Sequence, residues 1–94
     1  MKGIGIFNMN KRYDTVLRWF KEYGFTIIKE NNSTTYWCRT IMKDNKGKTR
    51  IFEITNYNIW YMKNGRTSFG KTKTELYYNL ELSLFHSNQL NIIL

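Results

Sequence analysis

The sequence predicts a single α+β domain over residues 1–94: an antiparallel meander of four to five strands flanked by an N-terminal and a C-terminal helix, in the order α-β-β-β-β-α. Three observations carry this. Tyr13, Val16, Leu17 and Phe20 repeat at i, i+3, i+4, i+7, the spacing of one helix face. Residues 36–62 alternate apolar with polar positions and are broken by turn residues, the pattern of half-buried strands. Thr72-Lys73-Thr74-Glu75 is a capping box that opens a second helical stripe.

Taken in order, residues 1–7 form a short apolar lead-in, and Asn8 or Asn10 caps a helix running to about Tyr23. Lys11, Arg12, Arg18 and Lys21 lie off its apolar stripe, which predicts a wet, basic outer face. Gly24 followed by Phe25 reads as a left-handed C-terminal cap with its hydrophobic contact. Residues 25–30 then read as a strand and Asn31-Asn32-Ser33 as its turn.

The next hairpin can be registered by argument. With Asn45-Lys46-Gly47 as a three-residue loop and Gly47 left-handed, Asp44 pairs with Lys48, Ile41 with Ile51, Thr40 with Phe52 and Arg39 with Glu53. A four-residue loop would mix the two faces, because a one-residue slip inverts a strand. A tight turn at Asn56-Tyr57 then places Ile54 beside Ile59 and Phe52 beside Tyr61. Asn64-Gly65 signals a further hairpin and a brief last strand over residues 66–69. Leu76, Tyr77, Leu80 and Leu84 form the stripe of the closing helix. Tyr78, Leu82 and Phe85 widen it, which predicts a well-covered helix. Residues 90–94 are an apolar tail that packs or meets a partner.

This register sorts the sheet into two faces. The first, Tyr36, Cys38, Met42, Phe52, Ile54, Ile59 and Tyr61, is core. The second carries Trp37, Arg39, Ile41, Lys43, Ile51, Trp60 and Met62, and a sheet resting on one core needs no second apolar face. Either one helix covers each side and these residues are ordinary core, or both helices pack on the first face and leave the indoles exposed.

A net charge of +8 over 94 residues favours polyanionic partners: nucleic acid, a nucleoprotein, or an acidic protein surface. Aromatic residues at 17% and hydrophobic residues at 41% are enough to fold. Cys38, the one cysteine, cannot close an internal disulfide, which suits a reducing compartment. No apolar run approaches a membrane span, and the first residues lack the apolar core of a signal peptide. The protein is therefore expected in the cytoplasm, with no membrane partner. Abundant Lys, Asn, Ile and Tyr with no Pro is the codon bias of AT-rich genomes, those of many phages among them.

Gly65-Arg66-Thr67-Ser68-Phe69-Gly70-Lys71-Thr72 matches the phosphate-binding pattern G-x-x-x-x-G-K-[ST] between a predicted strand and helix. That chemistry needs a parallel sheet and a later carboxylate for magnesium. Here the acids that follow are Glu75 and Glu81, both on the closing helix, so the residues are assigned structural duties instead: Gly65 to the hairpin, Gly70 to the bend, Thr72 to the cap. A nucleic-acid phosphate at this helix start, beside Lys71, Lys73 and Arg66, is a separate expectation. His86 is the one histidine and reads as a helix-end residue rather than a zinc ligand. Cys38 reads as a small buried hydrophobe, and Asp14, Glu22, Asp44 and Glu53 form no acid/base pair. No cofactor, metal or small-molecule substrate is expected, and no enzymatic activity.

Helix, three strands and helix, with Gly70-Lys71-Thr72-Lys73 opening the last helix, is similar in order to double-stranded-RNA-binding domains. Thr74 stands where that family has a second consecutive lysine, and its proline-containing loop is absent. The sheet followed by residues 69–75 also resembles DNA-binding domains of the AP2 and integrase-arm type. Each resemblance covers about half of the chain or rests on element order, and neither assigns a function.

The expected function is that of a small, basic, non-enzymatic binding protein that contacts nucleic acid through its hairpin tips and the second sheet face. Trp37, Arg39, Lys43, Lys46, Lys48, Trp60, Arg66, Lys71 and Lys73 are the candidate residues. Indoles and guanidinium planes stack on bases, and the lysines reach phosphates. The alternative is a phage-type inhibitor docking on a host nucleoprotein such as a CRISPR effector.

Overall fold

Both helices and the antiparallel meander are present in the computed structural model, which describes residues 9–32 and 37–85. Helix α1 (Met9–Tyr23) buries Tyr13, Val16, Leu17 and Phe20, the stripe the spacing predicts. It ends in a Schellman motif, with the Phe25 amide donating to the Phe20 carbonyl at 2.9 Å and the Gly24 amide to that of Lys21 at 3.0 Å. Gly24 takes the left-handed φ of 119° that this cap requires. Asn10 lies inside the helix rather than capping it, while Asn8 falls outside the described residues.

Five strands follow: β1 (Thr26–Asn32), β2 (Trp37–Lys43), β3 (Thr49–Thr55), β4 (Ile59–Met62) and β5 (Arg66–Ser68), each antiparallel to the one before. The β2–β3 register is the predicted one, with Arg39 opposite Glu53, Thr40 opposite Phe52 and Ile41 opposite Ile51. Gly47 sits at φ 84°, and the Asp44 amide donates to the Lys48 carbonyl at 2.9 Å. Phe52 meets Tyr61 and Ile54 meets Ile59 across β3–β4.

The first strand departs from expectation. Asn31 and Asn32, read as a turn, pair with Arg39 and Cys38 and extend β1, because cross-strand bonding outweighs the intrinsic turn preference of asparagine. A bulge between Ile27 and Lys29 leaves Ile28 exposed. Ser33 and Tyr36 lie outside the described residues, as do His86 and the predicted lead-in and tail.

Gly70 makes the bend from β5 into helix α2 (Lys73–Asn79), whose capping box is formed as predicted. The helix widens at once into a π-helical turn, Leu80–Leu84. Leu76 and Leu80 are buried, whereas Tyr78 and Leu82 are exposed. The expectation of an all-round covered helix is thus corrected: its apolar girth exceeds the one face the sheet offers.

Both helices pack on the same side. Residues of α1 and α2 share one core with Cys38, Met42, Phe52, Ile54, Ile59 and Tyr61, the first sheet face. Phe52 is its centre, with ring centroids of Phe20, Tyr61 and Phe69 at 4.7, 5.0 and 5.5 Å. Tyr13 reaches through to Thr40 with a 2.7 Å hydroxyl–hydroxyl bond, and burial pushes its phenol up to about 12 although the bond to Thr40 opposes the shift.

Two charged groups also lie on this side. Asp44 accepts from the amides of Lys46 and Lys48 at 2.8 and 3.0 Å and from Arg50 Nε at 3.0 Å, while Arg50 Nη1 donates to the Tyr61 hydroxyl at 2.7 Å. Their side chains are 1% and 9% exposed, so the pair is fully engaged and locks the β2–β3 tip. Arg12, predicted on the wet face, instead joins elements. Its Nε donates to the Thr55 carbonyl at 3.2 Å and its Nη1 to the Lys71 carbonyl at 3.0 Å. Burial lowers the pKa of this guanidinium.

Candidate binding face

With both helices on the first face, the second face of the sheet has no helix over it among the described residues. Alternation sends Trp37, Arg39, Ile41 and Lys43 of β2 to this side. Register places Ile51 and Glu53 of β3 and Trp60 and Met62 of β4 with them. Trp60 sits opposite both Glu53 and Ser68, and Met62 opposite Arg66, so β5 contributes Arg66. Trp37, Ile41, Ile51, Trp60 and Met62 are half-buried there, with charged side chains between them.

Those charged side chains are ordered by one carboxylate. Arg39 Nη2 lies 3.5 Å from Glu53 Oε2 and Arg66 Nε lies 3.5 Å from Glu53 Oε1, so each oxygen holds one guanidinium. Glu53 is 11% exposed, and the two arginines are 45% and 51% exposed. To reach Glu53, Arg66 crosses Trp60 with its guanidinium carbon 4.2 Å from the ring centroid, while Arg39 lies 5.7 Å from that of Trp37. The result is a row Trp37–Arg39–Glu53–Arg66–Trp60 in which each exposed cation backs onto an indole.

The antiparallel order puts the 44–48 and 63–65 turns at the same end of the sheet. Lys43, Lys46, Lys48 and Arg66 therefore cluster at that end, all exposed. Lys46 also lies 5.8 Å from the Phe85 ring, so it leans toward the helical side of the tip. Lys29 of β1 pairs with Ile41 and joins the second face, a position the sequence reading missed because it left the β1–β2 register unassigned. Glu53 was paired correctly with Arg39, but its second arginine was not foreseen. The Asn64-Gly65 hairpin, followed through to Met62 opposite Arg66, was the signal for it.

Lys71 and Lys73 are not brought to this face. Lys73 Nζ is 3.0 Å from Glu22 Oε1 on α1, and Lys71 Nζ lies 5.9 Å from the Tyr57 ring at the opposite end of the sheet. The phosphate-loop look-alike is likewise spent on structure. Glu75 Oε1 accepts the amides of Lys71 and Thr72 at 2.7 and 3.0 Å, which occupies the donors a phosphate would use. These bonds, that of Lys71 first, hold the Glu75 carboxyl below its usual range. Gly70, at φ 101°, lies so close to Glu75 that an added Cβ would stand 2.4 Å from the Glu75 Cβ.

Elsewhere, Cys38 is buried and its thiol is pushed up, chiefly by desolvation, which disfavours the thiolate. Among the described residues no group of three or more His, Cys, Asp and Glu is placed to hold a metal ion, and no helix is long and apolar enough to cross a membrane. No protein-family model, no curated protein and no solved structure matches the chain.

Proposed function

We propose that this chain is a binding protein whose second sheet face contacts nucleic acid. The observation that carries the reading is the row of two indoles and two guanidinium groups, ordered by Glu53, on a face that neither helix covers. Aromatic and guanidinium planes are the surfaces on which bases stack. The cluster of Lys43, Lys46 and Lys48 at one end supplies phosphate contacts, in keeping with a net charge of +8. Lys71 and Lys73 lie away from this face and are not part of the proposed contact.

A second reading draws on Ile41, Ile51 and Met62. A half-buried aliphatic centre with a charged rim is also the anatomy of a protein interface, which fits an inhibitor seated on a nucleoprotein. Fluorescence-anisotropy titration of labelled oligonucleotides, set beside co-purification from the native host, separates the two. Micromolar or tighter, salt-sensitive binding to free oligonucleotide supports the first; capture of a nucleoprotein without such binding supports the second.

A further inference from the structure

Resting on the nucleic-acid reading, we infer that the ligand is an unpaired strand, its bases laid on the guanidinium planes of Arg39 and Arg66 with Trp37 and Trp60 beneath. Three features lead there. Five strands at about 4.8 Å spacing make a sheet roughly 19 Å across, whereas the major groove of B-DNA is about 12 Å wide. The face does not seat in the groove as a whole, so across most of its width a duplex would present phosphate ridges. Those ridges find little on the middle of the face, where Ile41 and Ile51 oppose each other. Exposed base faces, by contrast, gain by covering such a surface.

The arginines point the same way. A guanidinium grips phosphate through its fork of N–H donors, and one nitrogen of each group, Arg39 Nη2 and Arg66 Nε, is already drawn to Glu53 at 3.5 Å. Each group also lies over an indole, Arg66 with its guanidinium carbon 4.2 Å and Arg39 5.7 Å from the ring centroid, while about half of each side chain stays exposed. A flat cation backed by an aromatic ring is a stacking platform for a base. Glu53 is then a positioning residue: it sets both planes and keeps the two cations from swinging out to phosphate. Phosphates of the strand are left to Lys43, Lys46 and Lys48 at the end of the sheet, and to Lys29 at the edge.

The test is a charge-conserving one. Wild type and the double variant Arg39→Lys with Arg66→Lys are titrated, at fixed salt, against a single-stranded DNA, the same sequence as RNA, and a hairpin duplex of the same composition. Wild type is expected to bind a single strand at least tenfold tighter than the duplex. The double variant, folded by circular dichroism, is expected to lose most of that preference while its salt slope stays the same, because its charge is unchanged. The DNA and RNA arms show which strand is preferred. Equal or tighter binding of wild type to the duplex overturns the inference and leaves the nucleic-acid reading standing. Retention of the full preference by the double variant likewise removes the stacking role. Failure of wild type to bind any of the three at low salt sinks the nucleic-acid reading itself, and the single-strand inference with it.

Discussion

Replacing Trp60 with Ala separates a binding face from a core face by numbers. The indole is half-buried, sits between Glu53 and Ser68 across the strands, and lies 4.2 Å beneath the Arg66 guanidinium. Its truncation loses a cation–π contact of about 0.5 to 1 kcal/mol and two cross-strand pairs of about 0.2 to 1 kcal/mol each. The expected loss of stability is therefore about 1 to 3 kcal/mol, below the roughly 3 to 5 kcal/mol of a large aromatic truncation in a packed core. Binding should fall much further in proportion. A stacked base is worth about 1 to 3 kcal/mol, or roughly a fivefold to hundredfold loss of affinity. Ile54→Val supplies the control, since Ile54 is wholly buried on the opposite face and a methylene deletion costs about 0.5 to 1.5 kcal/mol. Chemical denaturation and oligonucleotide anisotropy are measured on all three proteins. If Trp60→Ala binds as wild type does per folded molecule, or if Ile54→Val loses affinity equally, the second face is not the contact surface.

Replacing Lys43, Lys46 and Lys48 together with Ala should flatten the log–log salt dependence of binding by about two to three units, at about 0.7 to 0.9 per lost phosphate contact; an unchanged slope removes this end of the sheet from the site. Asp44→Ala leaves the buried Arg50 guanidinium without its carboxylate and should cost about 3 to 5 kcal/mol by urea denaturation. Burial alone would raise the Asp44 pKa, but the Lys48 amide, Arg50 and the Lys46 amide more than offset this and lower it. Its contribution is thus present at neutral pH and fades as pH falls below about 4, toward the native-state value; Asp44→Asn should flatten that part of the acid limb, and an unaltered limb counts against the assignment. Gly70→Ala forces a side chain into φ 101° and against Glu75, so it should cost more than about 1 kcal/mol, and an unchanged thermal midpoint would show that the bend relaxes freely.

How far the sequence reaches is clearest at the β2–β3 hairpin. Because side chains alternate with a period of two, a loop of wrong length would have put Phe52 and Ile54 in water, so apolar pattern and Gly47 together left one register. The Gly24-Phe25 cap and the Thr72–Glu75 box are equally local, since their hydrogen bonds close within a few residues. Asn31 and Asn32 escaped the same logic: their strand pairing is made by a partner across a separate segment, which no local preference encodes. Arg12 and Arg50 escaped it too. Both are polar residues whose partners, Thr55 and Lys71 for one and Asp44 and Tyr61 for the other, are brought near only by packing.

The sequence by itself determined that this sheet has two sticky faces and which residues stand on each. It could not determine which face the helices would take, because alternation is symmetrical: Trp37 and Trp60 on one side look as apolar as Phe52 and Ile54 on the other. The tertiary structure decided it by turning the chain at Gly24 and at Gly70 toward the same side, where the α1 and α2 stripes close over one aromatic core. The other face was left with Arg39 and Arg66, which among the described residues share the one carboxylate of Glu53. A helix laid over it would have had to strip water from those guanidinium groups at a cost of several kcal/mol each, which burial of the two indoles would not have offset.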